Sequence, residues 1–168
     1  MKKPTSTKRA EKMQVAERKI FIFSEVKNFV FSPKEIFSLI WLLDSSKFSI
    51  SMGELSIAFL GEKKMRDIHC KFLADESLTD VITFPGDRET DFAGEICTSP
   101  DYAFENCKRY GTTFSEELNL YLIHGYLHLF GLNDTSESEK IRMREGENFC
   151  MSLAKTEHCL AKFAHKCL

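Results

Sequence analysis

The chain has 168 residues, with 23 Lys and Arg against 25 Asp and Glu and a formal net charge of −2. With 43% hydrophobic and 29% charged residues, it can build one core without disulfides, and its composition excludes a mostly disordered, collagen-like or simple coiled-coil chain. Near-neutral charge excludes a uniformly basic nucleic-acid binder but leaves room for a local basic surface. The six cysteines include no Cys-x-x-Cys pair, and residues 1–19 hold no apolar stretch of a leader. A reducing, cytoplasmic setting is therefore expected, with thiols packed as small hydrophobes. The longest apolar run, residues 118–132, is interrupted by Asn119, His124 and His128, too short and too polar to span a bilayer.

Charge is concentrated at the start. Lys2, Lys3, Lys8, Arg9, Lys12, Arg18 and Lys19 face only Glu11 and Glu17. Residues 1–18 read as a basic arm, either a solvated start or a source of phosphate contacts. Residues 19–168 read as a single domain. A β-prone run at 19–23 leads into Ser32-Pro33-Lys34-Glu35, an N-cap with proline at the first helical position and a capping-box glutamate. That helix is expected to reach Asp44 with Ile36, Phe37, Ile40 and Leu43 inward. Alternation predicts a strand over 54–60, followed by a helix over 65–73. A strand over 80–84 is expected to stop at Pro85-Gly86, with another over 93–97. Ser99-Pro100 opens a helix ending near Gly111.

Thr113-Phe114-Ser115-Glu116 is a second capping box, and residues 114–130 are apolar almost all round. That pattern predicts a buried helix stopped at Gly131. Ser136 with Glu139 caps a last helix carrying Ile141, Met143, Phe149 and Leu153. The order of elements predicts an α/β (α+β-like) fold, a small mixed sheet packed with helices around a buried metal-binding helix.

The metal follows from spacing. His124 and His128 lie one turn apart on one helix face, so both imidazoles can reach one ion. The turn at Gly131 can swing Asp134 back as a third ligand. Two imidazoles and a carboxylate leave a fourth zinc position open, as in catalytic sites. Two hydrogen-bonded core histidines are the plainer reading. Against it stand the apolar surroundings, in which an unpaired imidazole is costly, and Gly125, which costs about 1 kcal/mol in mid-helix. Because residue 125 is Gly, the glutamate base of an H-E-x-x-H peptidase is missing. A rival metal site at His158, Cys159, His165 and Cys167 fails if one helix runs through it, because His158 and His165 then stand about 10 Å apart.

The stretch from His124 to Asp134, HGYLHLFGLND, resembles the H-G-x-L-H-L-x-G-Y-D-H zinc motif of the YbeY family, endoribonucleases of ribosomal RNA maturation. TDVITFP at 79–85 is similar to that family's P-T-D-V-L-S-F-P strand, and Gly94-Glu95-Ile96 to its G-D-I strand. The resemblance implies a cytoplasmic, single-strand-directed endoribonuclease that holds one zinc ion or another divalent metal through His124, His128 and Asp134. It implies ribosomal RNA or ribosomal particles, and ribosome-associated proteins, as partners, and no membrane. Three departures stand out. Asp134 replaces the family's third histidine, Leu78 its proline, and Leu73 an arginine implicated in cleavage. Arg66 and Lys71 are the nearby cations. A metal-binding, ribosome-associated module with little catalysis is the alternative function, with a metalloprotease behind it. Asp80 is expected to bond its own backbone rather than orient a histidine.

Overall fold

A computed structural model describes residues 17–75, 77–87 and 89–165. In chain order the elements are β1 (Lys19–Ser24), β2 (Phe29–Phe31), α1 (Pro33–Asp44), β3 (Glu54–Phe59), α2 (Glu62–Leu73), β4 (Val81–Asp87), β5 (Phe92–Thr98), α3 (Pro100–Tyr110), α4 (Phe114–Phe130), α5 (Glu137–Thr156) and β6 (Phe163–His165). The basic arm, apart from its last two residues, lies outside the described residues, as does Cys167.

The main sheet has the order β1-β3-β5-β4. β1, β3 and β5 run parallel, and β4 pairs antiparallel with β5. This is the mixed α/β sheet that the sequence predicts. Side-chain alternation divides the apolar residues between its faces. Ile20, Ile22, Leu55, Ile57 and Ile96 join the large core under α1 and α4. Ala58, Leu60, Ile82 and Cys97 meet Met65 and Ile68 of α2 in a smaller cluster.

Helix starts follow the caps. Thr113 with Glu116, and Ser136 with Glu139, form reciprocal capping boxes. Ser32 precedes α1, but its side chain caps nothing. Glu35 instead accepts a 2.7 Å bond from the backbone N–H of Lys162.

Several boundaries differ from expectation. α2 starts at Glu62, a turn early. β4 continues through Pro85-Gly86 to Asp87, which an edge strand tolerates because it need not donate from proline. Phe37 is exposed, and α1 buries Ile36, Leu39, Ile40 and Leu43. Ile141 and Phe149 are also exposed, while α5 packs through Met143, Gly146, Cys150 and Ala154. The last helix ends at Thr156, His158 takes a positive φ of 54°, and β6 pairs antiparallel with β2. Asn119 accounts for this ending. Its side chain donates to the carbonyl of Ala161 at 2.7 Å and accepts from the Ala161 N–H at 3.0 Å. The buried amide in α4 thus fixes the C-terminal segment instead of lying unpaired among apolar residues.

Candidate metal centre

α4 sits very close to the sheet at Gly125. A Cβ there would meet Ile96 Cγ2 at 2.8 Å and Val81 Cγ2 at 2.9 Å. Glycine is therefore required by packing, and no glutamate fits at that position. The close approach holds His124 and His128 at the flank of the sheet. α4 ends at Gly131, whose φ of 109° favours a residue without Cβ. The turn then brings Asp134 under the helix, as the spacing predicts.

His124, His128 and Asp134 each offer a ligand atom within 4.8 Å of the others, the one such group found among the described residues. The hydrogen bonds settle which atoms these are. His128 Nδ1 lies 2.8 Å from the carbonyl of Leu132. A carbonyl only accepts, so this nitrogen carries the proton. His124 Nδ1 donates in the same way to Glu147 Oε1 at 2.6 Å. Both neutral rings then present bare Nε2 lone pairs, 2.9 Å apart. Asp134 Oδ2 stands 3.6 Å and 3.8 Å from them. With both rings neutral, two nitrogen lone pairs and a carboxylate oxygen converge, a donor set that a divalent cation satisfies. Burial pushes the His124 pKa down, but the Glu147 bond and the charges of Asp80, Glu147 and Asp134 outweigh it, and the net shift is upward.

The centre opens into a recess of about 220 Å³ lined by His124, Asp134, Lys140, Met143, Arg144 and Glu147. Sequence reasoning missed three of these, Glu147, Lys140 and Arg144. They lie on the next helix, where only the α4–α5 packing, with Gly146 against Leu127 and Leu132, brings them to the site. Asp80 holds its own turn, accepting from Val81 N–H at 2.9 Å and Thr79 Oγ1 at 3.1 Å. Arg66 and Lys71 are both exposed. Among the described residues, the rival C-terminal donors His158, Cys159 and His165 form no such group. Their helix breaks, and His165 packs on Phe104 and faces Asp101 Oδ1 at 3.6 Å. No helix among the described residues is long and apolar enough to cross a membrane.

Comparison with known proteins gives the family and the fold. A family model described as Endoribonuclease YbeY matches residues 30–155. An Endoribonuclease YbeY of Chlamydia pneumoniae is 38% identical over 119 residues, covering 66% of this chain and 75% of the relative. One from Thermodesulfovibrio yellowstonii is 31% identical over 156 residues, covering 88% and 94%. The solution structure of TM1509 from Thermotoga maritima superposes with a TM-score of 0.58 at 27% identity, covering 83% of this chain and 91% of that one.

Proposed function

The chain belongs to the endoribonuclease YbeY family, and from that membership we propose that it is a zinc-dependent nuclease cutting single-stranded RNA during ribosomal RNA maturation in the cytoplasm. The observation that carries the reading is the convergence of His124 Nε2, His128 Nε2 and Asp134 Oδ2 on one point, with Nδ1 of each ring engaged elsewhere.

These three residues would hold the ion and leave one position open. When bound, the ion supplies Lewis acidity at a phosphoryl oxygen. The chain's own residues do the rest. Glu147 and the Leu132 carbonyl hold both rings with Nε2 inward. Lys140 and Arg144 line the recess and offer positive charge to the phosphates beside the cut, in place of the arginine that the family resemblance expects at Leu73. RNA brings its own nucleophile in the 2′-OH, so no glutamate base is needed at position 125. The protein's partners are ribosomal RNA or ribosomal particles, together with ribosome-associated proteins.

Leu73 favours a second reading, a ribosome-associated metal-binding module with little turnover. One experiment separates the two. Protein purified without a metal-binding tag is analysed for metal, then incubated with unstructured RNA with and without chelator. About one ion per chain and chelator-sensitive cleavage support the nuclease. Metal and RNA binding without cleavage support the module.

A further inference from the structure

The sheet face opposite α4 is only partly covered. α2 shields the ends of β3 and β5, and beside it lies a groove of about 430 Å³ lined by Phe23, Phe72 and Phe84, with Lys64 and Glu95 at its rim. Phe23 is 58% and Phe72 56% exposed, and here the exposed rings line one groove together rather than standing singly. Phe72 and Phe84 meet edge to face at 5.1 Å, and Lys71 Nζ sits 5.2 Å from the Phe72 ring centre. α2 as a whole carries Lys63, Lys64, Arg66 and Lys71 against Glu62 and Asp67. Flat aromatic faces interleaved with cations are the chemistry that receives single-stranded nucleic acid. Bases stack on the rings, and the ammonium groups meet the phosphates.

The groove's position fits this occupant. β4 is an edge strand of the main sheet, and consecutive residues on it serve opposite faces. Thr83 Cγ2 lies near Gly125 of the metal helix, while Phe84 lines the groove. The metal centre thus flanks the same edge strand that the groove backs. An RNA chain crossing the outside of β4 would meet Phe84 and Phe72 first, and Phe23, on β1 at the far edge of the sheet, further along the groove.

We propose that this groove binds unpaired nucleobases of the substrate RNA next to the cleaved phosphate. The proposal rests on the nuclease reading above. It gives a reason for single-strand preference, because only unpaired bases can leave a stack to lie on Phe23 and Phe72.

The test uses the full-length protein, a short unstructured oligoribonucleotide and its abasic counterpart with the same phosphates. Phe23→Ala and Phe72→Ala remove exposed rings and leave the cores intact. Each should weaken binding of the oligoribonucleotide by about 5- to 150-fold, the range for a lost stacked base, while metal content stays the same. The wild type should prefer the normal oligomer over the abasic one, and the double variant should lose that preference. Trp41→Ala, a still more exposed ring on α1, should change neither. If the wild type binds and cuts RNA but the groove variants bind it equally well, the groove proposal is overturned and the nuclease reading stands. If the wild type neither binds nor cuts RNA, both fall. Unchanged RNA affinity with altered self-association of the variants would assign the groove to a second copy of the chain and also overturn it.

Discussion

Glu147 Oε1 accepts a 2.6 Å hydrogen bond from Nδ1 of His124 across the α4–α5 interface. That bond fixes the tautomer and aims Nε2 at the centre. Outer partners of this kind are commonly worth 10- to 100-fold in metal affinity. Glu147→Ala should therefore lower zinc affinity by about that factor in a competition titration. Glu147→Gln keeps an acceptor and should recover most of it. Equal affinity in all three proteins would show that the bond does not position the ring.

Asp134 is the most exposed of the three donors, at 43%. As a ligand it brings one negative charge and a hard oxygen, which widens tolerance toward manganese. Asp134→Ala should lose most of the bound metal, whereas Asp134→His should keep zinc and narrow the choice of metal. The measurement is metal content after dialysis. Full zinc occupancy in Asp134→Ala would remove the residue from the ligand set.

Arg18 is grouped by charge with the N-terminal arm, yet its side chain is 1% exposed and its partner Asp44 4%. Two bonds of 2.8 and 2.9 Å join them. Tyr126 donates to the same carboxylate at 2.6 Å. Arg18→Ala leaves a buried carboxylate without its cation and should cost about 3–5 kcal/mol in urea unfolding. Tyr126→Phe removes a bond to a charged acceptor and should cost about 1.5–3 kcal/mol. Removing residues 1–16 spares this latch and should leave stability near the wild-type value.

The capping boxes make stability depend on acid. A bond from Lys155 and the Thr113 cap hold Glu116 down to about 2 from an ordinary 4.5. Bonds from Thr135 and Ser136 do the same for Glu139. Both pKa values are lower folded than unfolded. Their stabilisation is therefore complete above the unfolded value and is lost as pH falls from about 4.5 toward 2. Urea midpoints across that window should decline, and Glu116→Gln with Glu139→Gln should flatten the decline. An identical slope in the double variant would mean other carboxylates govern it.

Four of the five helix starts, all but that of α2, and the convergence of His124, His128 and Asp134 were legible because their signals are local. Caps act within four residues, and one turn of helix separates His124 from His128. Glu147 was not legible, since its role depends on how α5 lies on α4. β2 and β6 were hidden for a similar reason. Strands of three residues carry no period, and it is the Asn119 amide, 42 residues from Ala161, that draws the C-terminal segment back into a strand. Phe37 looked like core by spacing, yet the core side of α1 is rotated to Leu39.

His124 and Glu147, at opposite ends of the candidate centre's sequence, are 23 residues apart. The Tyr126–Asp44 bond closes a separation of 82, and the parallel pairs of the sheet need long crossovers as well. Short loops close faster and at lower entropic cost than long ones. The α4–turn–α5 hairpin can therefore gather its ligands before the sheet is complete. The side chains that would receive an ion are in this way brought together by the most local part of the topology, while the strands still have distant partners to find.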